Sequence, residues 1–263
     1  MQIGVIGLGR FGMFWAQLLA QEAEAVYAWN RTPRALPAGV LPLGDADYQR
    51  LDIVFLCTSI ASVGSVAETI ASRLHPRTIV ADTCSVKVEP LADLDRVIPA
   101  ENPLLGTHPM FGPDSARNGA DGLPMVFSPV RIAPDQLAMV QDFFRKYQLD
   151  QLVMTPEEHD REAAYTQGIT HFIGRVLKDL DLKPSPIATL GYTRLLQVME
   201  QTCNDPWSLF MDLQQRNPYT AAMRRDIRVS LDRTLQLLGD SDAGGDAAAN
   251  AGPGADSGAA SSD

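Results

Sequence analysis

Two short stretches carry the residues best suited to acid–base chemistry. Gly106-Thr-His-Pro-Met-Phe-Gly-Pro113 sets His108 among Pro109, Gly112 and Pro113, a composition that predicts a rigid loop. Upstream, Asp82-Thr-Cys-Ser-Val-Lys87 offers the hydroxyl of Ser85. A neutral imidazole, with an ordinary pKa of about 6.5, accepts the proton of a hydroxyl near neutral pH. With a hydride acceptor close by, these are the parts needed to oxidise an alcohol. His75, in Leu74-His-Pro76, reads instead as structural or exposed.

The hydride acceptor is suggested at the start of the chain. Gly7-Leu8-Gly9-Arg10-Phe11-Gly12 follows a short apolar strand, Gln2-Ile-Gly-Val-Ile6, and opens an apolar-periodic helix through about Gln21. That is the context in which a GxGxxG run binds a dinucleotide. Gly7 permits the turn, Gly9 lets the pyrophosphate approach the backbone, and Gly12 allows the helix to pack on the strand. After the second strand, Ala25–Trp29, an NAD site places an acid on the ribose hydroxyls. Here stand Asn30, Arg31 and Thr32. An acid would repel a 2′-phosphate, whereas Arg31 can pair with it and Thr32 can donate to it, so NADP is expected over NAD. The alternative for Arg31 is a solvated loop charge.

The elements that must hold these groups alternate. Asp52–Leu56 and Thr78–Ala81 read as further strands separated by helical stretches, and later strands are expected at Met125–Phe127 and Gln151–Met154, with a helix over about Asp135–Tyr147 between them. This predicts an α/β fold, an N-terminal Rossmann-type doubly wound sheet followed by a smaller all-helical domain. The change falls at Thr155-Pro156-Glu-Glu, where Thr155 can cap a helix, Pro156 fits its first position and the acids complement its dipole. The expected organisation is a dinucleotide-binding domain over 1–154, a helical substrate and dimerisation domain over 155–239 and an acidic disordered tail over 240–263. Apart from Asn250 and Pro253 the tail holds only Ala, Gly, Ser and Asp, with no aromatic residue, so it cannot offset its ordering entropy.

Composition narrows the classes. The 263 residues are 45% hydrophobic and 21% charged, enough for a substantial core. The net charge of −10 owes half to Asp240, Asp242, Asp246, Asp256 and Asp263. No basic stripe suits nucleic acid, and apolar runs such as Ile53–Cys57 fall short of a bilayer span. Met1 runs directly into the first strand, from which a cytoplasmic protein without a targeting peptide is expected. Cys57, Cys84 and Cys203 are odd in number and lack metal-ligand spacing, so free thiols and no metal are expected.

Several motifs together carry a resemblance. Ser85-Val-Lys87, His108-Pro-Met-Phe-Gly-Pro113 and Ile169-Thr-His-Phe-Ile-Gly-Arg175 resemble the prephenate and arogenate dehydrogenases of tyrosine biosynthesis. Leu56-Cys-Thr-Ser59, Gly122-Leu-Pro-Met-Val-Phe127, Glu158-His-Asp160, Gly191-Tyr192 and Met199-Glu-Gln-Thr202 are similar to the plant-type arogenate branch. The resemblance runs from the glycine loop to about Asn217. It implies NADP-dependent oxidative decarboxylation of a 4-hydroxycyclohexadienyl acid. His108 would take the C4 hydroxyl proton, and Ser85 would hydrogen-bond that hydroxyl and hold His108 in register. The dinucleotide would lie on Gly7 to Gly12, Asn30 to Thr32 and Cys57, Thr58 and Ser59, and the substrate against Gln167, Thr170 and His171. The family also implies a homodimer joined through the helical domain.

The same resemblance leaves alternatives. Lys87 would position Ser85, approach the cofactor, or be an exposed loop lysine. His171 would donate toward the ring carboxylate or be satisfied by a backbone carbonyl. Arg175 would be a substrate ligand or an interface ion pair. Where prephenate-using relatives carry an arginine for a substrate carboxylate, this chain has Glu200, which favours arogenate. Asp205 would then receive arogenate's ammonium; its other reading is a helix N-cap before Pro206. Prephenate as substrate, a β-hydroxyacid dehydrogenase with a catalytic lysine, and a non-catalytic NADP-binding sensor are the competing readings.

Overall fold

The computed structural model describes residues 1–239; the expected tail, 240–263, lies outside them. The described chain divides into two compact units, Met1–Met223 and the stretch from Arg224 onward. In the first, β1 (Gln2–Ile6), α1 (Arg10–Leu19), β2 (Ala25–Trp29), β3 (Val40–Pro42), β4 (Ile53–Leu56), α2 (Val63–Ile70), β5 (Ile79–Asp82), α3 (Val88–Val97) and β6 (Leu104–Pro109) alternate. They are followed by β7 (Pro124–Arg131), α4 (Pro134–Arg145) and β8 (Asp150–Val153). The single eight-stranded sheet runs β3-β2-β1-β4-β5-β6-β7-β8. β1 to β6 are parallel, β7 is antiparallel to β6, and β8 is parallel to β7.

Both faces of the sheet are covered, and the strand sequences show why. Side chains alternate across a strand, so in β1 Ile3 and Val5 join one core while Ile6 joins the other; in β4 Ile53 and Phe55 part from Val54 and Leu56 in the same way. One core is built on aromatic packing: Trp15 of α1 stacks on Phe144 of α4 at 5.6 Å and meets Phe55 edge-on. The other core gathers Val63, Ala67, Leu91 and Leu94 from α2 and α3. Strands apolar on both faces are what a parallel sheet between helix layers requires.

Beyond β8 the chain is helical, in α5 (Pro156–Ala163), a π-helical turn (Ala164–Gly168), α6 (Ile169–Asp179), α7 (Leu190–Cys203), α8 (Trp207–Arg216) and α9 (Thr220–Leu237). α5 begins as its residues predict. Thr155 Oγ1 accepts from Glu158 N at 3.2 Å, and Glu158 Oε2 accepts from Thr155 N at 2.8 Å, a reciprocal cap. No helix among the described residues is long and apolar enough to cross a membrane.

One expectation is corrected here. His108 does not sit in a loop: it is the fifth residue of β6, whose six residues are all buried between β5 and β7. Gly106 and Pro109 mask the strand in the sequence. Gly106 is there because a Cβ would come within 2.7 Å of Leu91 Cδ1 and 3.0 Å of Ser128 Cβ, and Pro109 stands at the strand's last position, where a missing donor disturbs least. The short β3 was not anticipated, and β7 is longer than the expected Met125–Phe127.

Candidate active site

The carboxyl ends of β1, β4, β5 and β6 open together into one cavity of about 370 Å³, bounded on its far side by residues of the π-helical turn, α6, α7 and α8. Ligands of parallel α/β sheets bind at this edge. Gly9, Arg10, Phe11 and Gly12 line it from the glycine loop, Cys57, Thr58 and Ser59 from the turn after β4, Ser85 from the loop after β5 and His108 from β6. Gln167, His171 and Asp205 line it from the helical side.

His108 is held from behind. Its Nδ1 lies 2.8 Å from His159 Nε2, and His159 Nδ1 lies 2.8 Å from Asp160 Oδ1. Asp160 also accepts from the backbone N–H of Lys87 at 2.7 Å and of Val88 at 2.9 Å. These contacts assign the protons. A carboxylate that takes two backbone donors requires His159 Nδ1 to donate to it; His159 Nε2 then accepts from His108 Nδ1. The lone pair of His108 is left on Nε2, the atom available to the cavity. Burial first, then the neighbouring His159 and Lys87, hold the His108 pKa well below its usual 6.5, so the ring is neutral near pH 7 and competent as a base.

The sequence assigns no site role to His159 or Asp160, and Glu158-His-Asp160 enters there only through the family resemblance. A signal existed. On α5 only His159, Asp160 and Ala163 are buried, so an imidazole and a carboxylate occupy the inward stripe of an otherwise polar helix. Ser85 shares the cavity wall with His108, but the hydrogen bond that holds His108 is the one it donates to His159.

Of the three readings of Lys87, the structure excludes two and leaves the positioning of the Ser85 loop. Lys87 is neither an exposed loop lysine nor a cavity residue: it is fully buried, as is Asp82, with which it forms an ion pair. Lys87 Nζ also donates to Thr107 O at 2.8 Å, Asp82 Oδ2 accepts from Cys84 N at 2.9 Å, and Thr107 Oγ1 donates to the Asp82 carbonyl. The pair therefore clamps β5, the Ser85 loop and the residue preceding His108 into one assembly.

The glycine loop has the form of a dinucleotide cradle. Gly7 takes φ +98°, which favours glycine, and a Cβ on Gly12 would fall 1.9 Å from Gly7 O, while one on Gly9 would meet nothing within 4 Å. The N-terminus of α1 carries no side-chain cap and no acid in its first turn, so its N–H groups remain available to an anion. Thr58 Oγ1 is buried without a partner. Burial pushes the Cys57 thiol up to about 12, which leaves it a neutral wall group.

Five expected cofactor residues lie outside the cavity lining. Leu8 is 1% exposed and its N–H donates to Asn30 Oδ1 at 2.8 Å, so neither its side chain nor its amide is free for a phosphate. Asn30 Nδ2 donates to Thr32 O at 2.7 Å; this amide ties the loop to the end of β2. Gly7 forms the turn, and Arg31 and Thr32 are exposed beyond β2, one strand removed from the cavity.

The helical side separates its expected residues. Gln167 Oε1 and His171 Nδ1 are buried without partners, two polar atoms in a cavity wall with nothing to satisfy them. Burial, ahead of Arg175, lowers the His171 pKa, although Asp205 opposes this. Thr170 is exposed, bonds to Thr166 O at 2.7 Å and does not line the cavity; three residues beyond Gln167 and one before His171, it points off their face of the helix. Asp205 is not the cap of α8, since the cap position falls on Pro206 and no side-chain cap bond forms. Burial raises the Asp205 pKa. Arg175 donates to Asp205 O at 2.8 Å and lies over the rings of Trp207 and Phe210, which makes it a brace for the turn between α7 and α8. Glu200 is exposed.

Known proteins resemble this chain in sequence and fold. The prephenate dehydrogenase nucleotide-binding domain family matches residues 41–151, and the TYRAAT1-like C-terminal domain family matches residues 176–247. Arogenate dehydrogenase 1, chloroplastic, of Arabidopsis thaliana is 36% identical over 83% of this chain and 36% of its own length; arogenate dehydrogenase 2, chloroplastic, of the same plant is 35% identical over 83% of this chain and 64% of its own. The chain thus spans less than two thirds of either relative. The crystal structure of Synechocystis arogenate dehydrogenase shares the fold, with a TM-score of 0.69 at 22% identity over 91% of this chain and 92% of that one. Strand order and glycine loop define a nucleotide-binding dehydrogenase domain. Residues 41–151 are those of the prephenate dehydrogenase nucleotide-binding domain family, and over 83% of its length the chain is similar to arogenate dehydrogenases.

Proposed function

We propose that this protein catalyses the NADP-dependent oxidative decarboxylation of L-arogenate to L-tyrosine. The observation that carries the reading is one cavity whose walls include both His108, with its Nε2 lone pair free, and the carboxylate of Asp205. One group suits a reacting hydroxyl, the other an amino-acid ammonium.

The glycine loop, the uncapped start of α1 and Thr58 fit a dinucleotide, with its pyrophosphate on the first-turn N–H groups. When bound, its nicotinamide supplies the acceptor for a hydride from C4 of the substrate ring. Arg31 and Thr32, with no acid beside them at the end of β2, favour a 2′-phosphate.

His108 Nε2 takes the proton of the C4 hydroxyl as the C4 hydride leaves. The bond from the ring to its carboxylate then breaks, carbon dioxide departs, and that electron pair completes the aromatic ring. Ser85 positions the hydroxyl. His159 and Asp160 fix the tautomer of His108 and stabilise the charge it acquires. Gln167 and His171 offer their unpartnered atoms to the substrate's ring end.

Asp205 distinguishes arogenate from prephenate, because its carboxylate attracts the ammonium and gives a keto acid nothing. Initial rates with arogenate and prephenate, each against NADP and NAD, should show the highest kcat/KM for arogenate with NADP. Asp205→Asn should lower the ratio of arogenate to prephenate use; an unchanged ratio removes Asp205 from substrate choice, and turnover of neither acid rejects the reaction. We also propose that the protein is a homodimer joined through its helical region, where Val176, Leu180, Leu190 and Leu195 are exposed apolar side chains.

A further inference from the structure

Arg10 occupies a variable position of the glycine loop, but its side chain does not follow the loop. Its backbone stays at the start of α1, while the guanidinium reaches Asp114 at 2.5 Å and comes within 3.7 Å of Asp205 Oδ1. It is the one Lys or Arg among the described residues lining the cavity. The nearby cations are committed elsewhere: Lys87 is buried against Asp82, and Arg175 braces the α7–α8 turn. Both cavity histidines are driven toward neutrality by burial.

We infer that Arg10 binds the side-chain carboxylate of the substrate, and that Arg10 and Asp205 together form a clasp for the zwitterionic end of an α-amino acid. This rests on the proposed reaction and adds the group that recognises the second charge. In an α-amino acid the ammonium and carboxylate sit on one carbon, so their receptors must be opposite in sign and side by side. Asp205 and Arg10 are. At 3.7 Å their contact is too long for a hydrogen bond, so each keeps capacity for a ligand. The pair with Asp114 joins two roughly half-exposed side chains; it aims the guanidinium while leaving donors of its fork unused.

The placement also suits the chemistry. A cation against the ring carboxylate would stabilise the charge that has to flow into the ring, and so favour the ground state. Here the cation lies beside Asp205, and the ring end is left to the neutral Gln167 and His171.

Calorimetry on the full chain saturated with NADP, using three ligands, tests the clasp. L-Tyrosine carries both charges, tyramine lacks the carboxylate, and 3-(4-hydroxyphenyl)propionate lacks the ammonium. The wild type should bind tyrosine more tightly than tyramine by about 10- to 100-fold, the range of a charge-assisted contact. Arg10→Gln should abolish that preference while leaving tyramine affinity in place. Asp205→Asn should instead abolish the preference for tyrosine over the propionate. In steady state Arg10→Gln should raise the KM for arogenate and not that for NADP. If Arg10→Gln raises the KM for NADP alone, or keeps the preference for tyrosine over tyramine, Arg10 is a phosphate ligand and the clasp is wrong. Failure of the wild type to oxidise either acid would overturn the reaction but not the ligand ranking, so the two outcomes separate.

Discussion

At the residue scale the site turns on which nitrogen of His108 holds a lone pair, and that is decided two side chains away, at Asp160. His108→Asn should lower kcat by about 10²–10⁴-fold with NADP affinity retained; turnover near wild type would remove His108 from the reaction. The pH dependence follows from the direction of the shifts. The base works unprotonated, and burial moves its pKa below 6.5, so kcat/KM should hold through pH 6.5 and fall only as pH drops through that lowered value. Asp205 is shifted the other way, upward from 3.8, so the KM for arogenate should rise on the acid side as the carboxylate takes a proton. Residue type and neighbours single out His108 and Ser85 in the sequence and the family resemblance singles out Asp205; all three line one cavity. His159 could not be assigned a role from the sequence. Its partner is 51 positions away, and only the packing of α5 against α3 and β7 brings the two rings together.

At the element scale, strands and helices with clean periodicity were readable, and those whose sequence serves a neighbour were not. β1 and β2 fall where their residues predict. β6 escapes because Gly106 answers to Leu91 and Ser128 rather than to strand propensity. Lys87 is the same lesson in a side chain: polar sequence surroundings suggest exposure, yet the β5–α3 connection folds over it. Removing one partner of a buried pair strands the other. Lys87→Met should therefore cost about 3–5 kcal/mol, seen as a lower urea midpoint with unchanged m-value. A loss under about 1 kcal/mol, the range of a surface pair, would mean the clamp contributes little.

At the scale of the whole molecule, the proposed homodimer makes stability depend on concentration. Sedimentation equilibrium should give twice the monomer mass, and Leu180→Lys combined with Leu190→Lys should shift the protein toward monomer. A monomeric wild type would refute the dimer. The general plan of sheet followed by helices was open to sequence reasoning because it depends on many residues at once.

The π-helical turn at Ala164–Gly168 joins α5 and α6 into one continuous rod, so the backing of the base and the substrate wall share a single axis. An α-helix advances about 100° per residue, and a π turn alters that count locally. The angular phase between His159 and His171 is therefore set by chain length across this turn. Substitutions there can leave the phase intact. The wide turn absorbs one extra residue, so loss of one residue would restore a regular helix with His159 and His171 near their present phase, whereas loss of a second would swing His171 about a quarter of the way round the rod, away from the cavity. In this stretch the spacing of residues, more than their identity, is what function constrains.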